Sequence, residues 1–341
     1  MKILFVGNTE GTSTSLHYFT NLVKLGHSVL PWTPGFFENT SSLDKIVQRI
    51  HRGPSPWKAR AINRELVKLC QQNYFDLVFV MSENFVSAEA IETIRAEAVS
   101  APKFLFHSHD NLLSPGIIKP PGFFQSLAAF DIAFTTKSQN VERYHAFGQK
   151  NAHYIASAFE PLVHRPIPKN ESRLARDFEV SFIGTYDGSR GKWLEKAGWD
   201  RLHVWGDFWQ RFPDYQKYRN QIYPFAIYYF EFADVCSRSK CSLGLLREEA
   251  EDRHTQRTFE IPACGSLQFA PRNDEIAEFF EDGKEIVLYD SPEELGSRLD
   301  YYLSHETERA KVAQAGYERC LASKHSYRDR VEQMLQKLAQ T

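Results

Sequence analysis

The stretch Arg257-Thr-Phe-Glu-Ile-Pro-Ala-Cys-Gly-Ser-Leu-Gln-Phe-Ala270, followed by Asn273-Asp-Glu-Ile-Ala-Glu-Phe-Phe280 and Glu285-Ile-Val-Leu-Tyr289, decides the fold. It spells helix, strand, helix, strand around one charged turn. The helix that opens at Arg257 carries Phe259, Ile261 and Ala263 for packing. It also sets Arg257 and Glu260 three residues apart, so both side chains emerge on one helical face. An Arg fork suits a diphosphate and a carboxylate suits two ribose hydroxyls, so the pair matches the two halves of a nucleoside diphosphate. The same spacing also describes an ordinary ion pair on a helix surface.

Outward from this block the same alternation fills the chain. Residues 2–6 form an apolar strand, 7–15 a Gly/Thr/Ser loop, and 16–25 an amphipathic helix ending at Gly26, and His27-Ser-Val-Leu-Pro31 enters a second strand. Helices are expected over 54–72, 88–98, 124–130 and 139–147, and strands over 75–80, 103–106, 132–135 and 153–155. The strand 103–106 opens onto His107-Ser-His-Asp-Asn111. Residues 159–177 contain three prolines and many charges with no apolar period, which predicts a linker. The pattern then restarts with a strand over 178–183, ending in Gly184-Thr-Tyr-Asp-Gly-Ser-Arg190, and a helix from Gly191. A strand over 203–205 stops at Gly206, a strand over 240–246 leads into the charged loop before Arg257, and helices close the chain over 312–321 and 327–338. Strand and helix alternation of this kind implies parallel, doubly wound sheets.

Composition agrees with two such halves. A chain of 341 residues with 42% hydrophobic side chains is long enough for two domains of roughly 150 residues. A net charge of −2, with acids and bases interspersed, argues against nucleic acid as a partner. Five cysteines, Cys70, Cys236, Cys241, Cys264 and Cys320, show no CxxC pair and no metal-ligand spacing, which suits reduced thiols in a cytoplasmic protein. No stretch has the length of an integral membrane span, and the amino terminus reads as a buried strand rather than a signal peptide. Aromatic residues are 14% of the chain and crowd in Trp205-Gly-Asp-Phe-Trp209 and Tyr223-Pro-Phe-Ala-Ile-Tyr-Tyr-Phe230. These runs read as core packing, with a wall for stacking on a sugar or base as the alternative.

Three groups of residues resemble one family. Arg257-x-Phe-Glu-Ile-x-Ala-Cys-Gly265, Glu278-Phe-Phe-x-x-Gly-x-Glu-Ile-Val287 and His325-Ser-Tyr-x-x-Arg330 resemble the carboxy-terminal block of the CgeB-type (spore-maturation protein-like) glycosyltransferases, relatives of the group 1 glycosyltransferases. The resemblance implies an α/β protein of the GT-B type, with two Rossmann-like, doubly wound domains facing a central cleft. The boundaries that go with it are an acceptor domain over 1–158, the linker 159–177, a nucleotide-sugar domain over 178–325, and a last segment, 326–341, whose helix crosses back to the first domain. Group 1 enzymes carry two acids separated by seven residues, and Asp252 and Glu260 have that spacing, with Asp in place of the usual Glu. By this resemblance Glu260 contacts the donor ribose and Asp252 the sugar.

The expected donor site comprises Gly184, Thr185, Arg190, Gly206, Asp252, Arg257 and Glu260. Arg190, with Lys192 behind it, and Arg257 face the diphosphate and stabilise the leaving charge without a metal. By the same resemblance Gly206 is expected near the base. The loop over 7–15 lacks both the G-x-G-x-x-G spacing and the P-loop Lys, which disfavours dinucleotide binding and ATP hydrolysis. His109 and Asp110 are the candidates for a base at an inverting centre, or for residues that orient acceptor and sugar at a retaining one. His107, His109 and Asp110 also offer a two-histidine metal set that lacks an identifiable third ligand. The expectation is therefore a hexosyltransferase-type glycosyltransferase, retaining and independent of metal or other cofactor. It would move a sugar from a nucleoside-diphosphate-sugar to a hydroxyl on a glycan, protein or small molecule. Acceptor contacts are expected from residues 33–53 and 112–123. A non-catalytic scaffold of the same fold and a nucleotide-sugar epimerase or hydrolase are the rivals.

Overall fold

The computed structural model describes residues 1–34, 55–81, 85–114, 122–175 and 177–341. The expected acceptor loops 33–53 and 112–123 lie largely outside the described residues. The chain divides into two units, Met1–Ala156 with Tyr327–Thr341, and Ser157–Ser326.

In the first unit the strands are β1 (Lys2–Val6), β2 (Ser28–Trp32), β3 (Leu77–Met81), β4 (Lys103–Ser108), β5 (Ile132–Thr135) and β6 (Ala152–Tyr154). All pair in parallel, in the order β2-β1-β3-β4-β5-β6. Every residue of β3, Leu-Val-Phe-Val-Met, is buried, as a central strand covered on both faces requires. Strand β2 carries Pro31, which forfeits a ladder donor and is tolerated because β2 is at the sheet edge. Helices α1 (Thr14–Lys24), α2 (Pro56–Gln72), α3 (Ala88–Glu97), α4 (Phe123–Ala129) and α5 (Asn140–Ala146) make the crossovers. Ser13 and Ser87 cap α1 and α3 through their hydroxyls, and Pro56 opens α2 where its missing N–H goes unused.

The second unit holds β7 (Phe178–Ile183), α6 (Gly191–Ala197), β8 (Leu202–Trp205), β9 (Ile222–Tyr223), α7 (Tyr229–Ser237), β10 (Ser239–Leu243), α8 (Arg257–Ala263), β11 (Leu267–Pro271), α9 (Asp274–Phe279), β12 (Val287–Tyr289), α10 (Pro292–Ser304) and α11 (Glu306–Ala322). Its sheet is also parallel, in the order β12-β11-β10-β7-β8-β9. Read from β9, that is the Rossmann order 3-2-1-4-5-6, and the winding reverses between β7 and β10. Ligands of such sheets gather at the carboxyl ends of the two strands that flank the reversal.

The last helix, α12 (Tyr327–Leu338), belongs to the first unit. The Tyr327 ring stacks on His17 of α1 at 4.7 Å and meets Tyr18 edge-on at 5.2 Å.

Three features differ from the sequence expectation. The described part of the expected linker, residues 159–175 and 177, falls in the second unit instead of spanning between units. Ile167 is buried and donates its N–H to Ser237 Oγ at 2.9 Å, and Arg173 donates its N–H to Asp234 Oδ2 at 2.8 Å. These are side-chain partners on α7, which no reading of local period reveals. The aromatic run at 223–230, read as core packing, joins β9 to α7, and while Tyr223 stacks on Trp205 at 4.7 Å, Phe225 and Tyr228 are exposed. Last, residues 292–322 form two helices where one over 312–321 was expected, since Ser291 caps an additional helix with Pro292 in its first turn.

Candidate functional site

Strand β7 runs out at Gly184, and the turn that follows is held against the end of β8 by main-chain bonds and one indole. Gly184 donates its N–H to Trp205 O at 2.8 Å, and Tyr186 donates its N–H to Asp207 O at 2.9 Å. Gly184 O in turn accepts from the indole Nε1 of fully buried Trp209 at 2.8 Å. Gly206 sits where φ is +153°, and a Cβ added there would lie 2.0 Å from Gly184 O. Glycine is required by both conformation and contact. Gly184 and Gly206, expected separately from the sequence, are thus one touching pair, with Thr185 exposed beside them.

Arg190 ends the short turn Gly188–Arg190, which begins with the Asp187 carboxylate accepting from Ser189 N at 2.8 Å. Arg190 is 7% exposed, and its guanidinium lies 5.4 Å from the centre of the Phe182 ring and donates from Nη1 to Thr185 O at 2.7 Å. Burial lowers its pKa to about 10, and the charges of Arg247 and Arg257 push the same way while those of Asp187 and Asp252 oppose them. Arg190 therefore stays charged at neutral pH while bracing the 184–190 turn, and its Nε has no hydrogen-bond partner. Lys192 is exposed and reaches Glu248 at 3.7 Å.

The loop after β10 supplies the other half. Arg247 Nε meets Asp252 Oδ2 at 3.3 Å, with the Asp252 side chain 1% exposed and that of Arg247 49%. Arg257 opens α8, pairs with Glu260, and lies 4.2 Å over the centre of the Phe232 ring. Its carbonyl is anchored by Gln268 Nε2 at 3.2 Å. Glu260 is buried, and its second oxygen lies 3.4 Å from Nε2 of buried His164. The opposite nitrogen, His164 Nδ1, accepts the Glu160 N–H at 3.0 Å, so the ring hydrogen of the neutral imidazole resides on Nε2, the nitrogen on the Glu260 side. The second unit thus gathers Arg190, Arg247 and Arg257 with Asp187, Asp252 and Glu260 around the reversal between β7 and β10. Positive groups that suit a diphosphate alternate with carboxylates that suit hydroxyls.

Sequence reasoning found Gly184, Thr185, Arg190, Gly206, Asp252, Arg257 and Glu260 but not His164, Phe232 or Arg247. His164 lay in the expected linker, and Phe232 two residues past the aromatic run 223–230. Arg247 gave a signal that went unused, as a basic residue five positions before Asp252 in the charged loop.

In the first unit, His109 and Asp110 follow β4 directly. His109 Nε2 is 3.7 Å from Asp110 Oδ2, and Asp110 is exposed, with its side chain at 52%. Asn111 is buried instead, where its Oδ1 accepts from Leu113 N at 3.2 Å and Asn140 Nδ2 at 3.0 Å. His107 is fully buried with neither ring nitrogen bonded, 6.4 Å from the His109 ring between centres. Burial, reinforced by His109, holds its pKa well below the usual 6.5, so it is a neutral ring packed on Tyr18 at 4.7 Å. Among the described residues no three His, Cys, Asp or Glu side chains converge as a metal set, and no helix is long and apolar enough to cross a membrane. His109 and Asp110 belong to the first unit and Arg257 to the second.

No curated protein sequence matches this chain. Solved structures match over its whole length. HepE of Anabaena, in complex with UDP and glucose, superposes with a TM-score of 0.69 at 14% identity, covering 100% of both chains. A glycosyltransferase from Rickettsia africae gives 0.69 at 13% identity over 99% of this chain and 98% of its own. Sucrose-phosphate synthase from Thermosynechococcus elongatus gives 0.67 at 13% over the same shares. At these identities the likeness is one of fold, and the fold is GT-B, two parallel six-stranded sheets with flanking helices. Residues 190–336 match a family model described as glycosyl transferase-like, a segment that contains Arg190, Gly206, Arg247, Asp252, Arg257 and Glu260.

Proposed function

We propose that this protein is a glycosyltransferase that moves a sugar from a nucleoside-diphosphate-sugar to an acceptor hydroxyl. The observation that carries the proposal is the gathering of Arg190, Arg247 and Arg257 with a buried, doubly held Glu260 at the strand reversal of a Rossmann-ordered sheet. Arg257 retains 31% side-chain exposure beside buried Glu260, which suits it to a diphosphate oxygen. A carboxylate offers about four lone-pair directions, so Glu260 keeps acceptor capacity for the two ribose hydroxyls after serving Arg257 and His164. Catalysis is then positioning plus electrostatic relief of the leaving diphosphate by fixed guanidinium groups, with no metal required. In this reading transfer retains the anomeric configuration, Asp252 contributes to the sugar subsite, and His109 and Asp110 orient the acceptor. The enzyme is a cytoplasmic, CgeB-type hexosyltransferase. The UDP and glucose bound by the Anabaena neighbour make UDP the first donor base to try.

The test is binding of UDP, GDP, ADP and CDP by calorimetry and thermal shift, with Glu260→Ala and Arg257→Ala alongside. A ligand at a hundredfold over its dissociation constant adds about 2.7 kcal/mol, a shift of several degrees. One nucleotide should bind, and each substitution should weaken it about tenfold or more, as loss of a hydrogen bond to a charged group does. No binding by any nucleotide would leave the non-catalytic scaffold. Release of nucleoside diphosphate without an acceptor would instead identify a hydrolase.

A further inference from the structure

Glutamate side chains end in a torsion that is broad and two-fold, so a carboxylate bound through one oxygen pivots about that bond. Glu260 is bound through both. Arg257 takes one oxygen from the half-exposed side. His164, 5% exposed, approaches the other from the interior at 3.4 Å. The His164 ring is itself fixed, because Nδ1 accepts the Glu160 N–H at 3.0 Å and the main chain closes the same turn through His164 N to Glu160 O at 2.7 Å. One aromatic side chain supports both partners. Phe232 meets the His164 ring edge-on at 5.7 Å and carries the Arg257 guanidinium on its face at 4.2 Å.

We infer that His164 is a positioning residue for the nucleoside. Its Nε2–H sets the plane of the Glu260 carboxylate and so confers preference for a ribose 2′-hydroxyl over 2′-deoxyribose. This rests on the reading of Glu260 as the ribose ligand. Without His164, Arg257 would remain at one oxygen of Glu260 and the 3.4 Å contact at the other would be lost. His164 therefore governs which sugar of the nucleotide is accepted, apart from how tightly the diphosphate is held.

Two substitutions separate the two bonds of the imidazole. His164→Asn keeps an acceptor at the position of Nδ1 for the Glu160 N–H but loses the donor to Glu260. His164→Gln keeps a terminal N–H that reaches Glu260 but loses the acceptor. The experiment measures dissociation constants of UDP, GDP, ADP and CDP, each beside its 2′-deoxy counterpart, for wild type and both variants, with melting curves recorded without ligand. Wild type should prefer its ribonucleotide by about 10- to 100-fold, the range for a hydrogen bond to a charged group. His164→Asn should bring that preference close to one while the 2′-deoxy affinity stays as in wild type. His164→Gln should melt lower yet keep the preference. A folded His164→Asn protein with the wild-type preference overturns the inference. If His164→Asn does not fold, a folded His164→Gln without preference overturns it equally. A wild type that binds ribo and deoxy forms alike overturns the inference by removing the 2′-hydroxyl contact from Glu260 and His164 together, while a 3′-hydroxyl contact of Glu260 and the diphosphate role of Arg257 stand. A wild type that binds none of the eight overturns the donor-site reading itself.

Discussion

Replacing Gly206 by alanine should destabilise the second unit by about 3–5 kcal/mol, from a backbone strain of about 1–3 kcal/mol and hydrogen bonds worth about 1 kcal/mol each. The added Cβ would lie 2.0 Å from Gly184 O and 2.5 Å from Gly184 C, where ordinary contact begins near 3.4 Å. Both neighbours are main chain, so no side-chain rotation relieves the clash, and the ends of β7 and β8 must part by more than an ångström. That movement breaks or stretches the Gly184 N to Trp205 O and Trp209 Nε1 to Gly184 O bonds, both 2.8 Å. The φ of +153° adds its own strain for any residue with a Cβ. Gly283→Ala is the control. Its φ is +73°, and nothing lies within 4 Å of the added carbon, so it carries the conformational term alone, about 1 kcal/mol. Urea unfolding followed by tryptophan fluorescence reads the correct unit, because Trp193, Trp199, Trp205 and Trp209 are in it and only Trp32 and Trp57 are in the other. Gly206→Ala should lower the melting temperature by on the order of 10 °C, several times the effect of Gly283→Ala. Equal effects of the two substitutions would refute the close approach of the two turns.

Two further outcomes follow from titratable groups whose pKa values the fold displaces. His107 has its pKa held below 6.5, so the unfolded chain takes up its proton first, and stability is lost as pH falls below 6.5. That loss can reach about 1.4 kcal/mol per pH unit, and His107→Leu should remove it from a stability profile measured between pH 7 and pH 5. An unchanged slope would mean that His107 is hydrated in solution. Asp282 behaves in the same direction at lower pH. Burial alone would raise its pKa, but hydrogen bonds from Arg298, Leu288 N and Arg272 outweigh it and hold the carboxyl below 3.8. Its contribution is complete above that value and lost on acidification, so Asp282→Asn should flatten the acid limb and cost about 1–3 kcal/mol at neutral pH, measured by urea titration.

How much of this was legible depended on whether a feature is local. Strands such as β3 and β7 announce themselves as apolar runs bounded by turn residues, and the Arg257–Glu260 pair follows from helical period alone. The GT-B fold was therefore readable from alternation and from the motif resemblance. What escaped was set by contacts distant in sequence. Residues 159–177 look like a linker because their partners, Ser237 and Asp234, lie some sixty to seventy residues ahead. Gly206 drew notice as a strand terminator, but its partner is the carbonyl of Gly184, which has no sequence signature. His164 was invisible for the same reason, since its importance resides in Glu260, nearly a hundred residues away.

The proposed phosphate and ribose roles also account for the burial of Arg190 and Glu260. A guanidinium in water binds phosphate weakly, because it must shed its own hydration first. Arg190 has already lost that hydration, and the cost is visible in its pKa of about 10. The folded chain offsets this through Thr185 O and the nearby carboxylates of Asp187 and Asp252, at a turn fixed by the Gly184–Gly206 contact. Glu260 is prepared in the same way by His164 and Arg257. A fixed, dehydrated guanidinium attracts an incoming anion more strongly than a solvated one, a fixed carboxylate does the same for an incoming hydroxyl donor, and neither need reorganise when it arrives. Stability given up at Arg190 and Glu260 is thus stored as preorganisation, so replacing Arg190 with an apolar side chain should weaken nucleotide binding more than it weakens the fold.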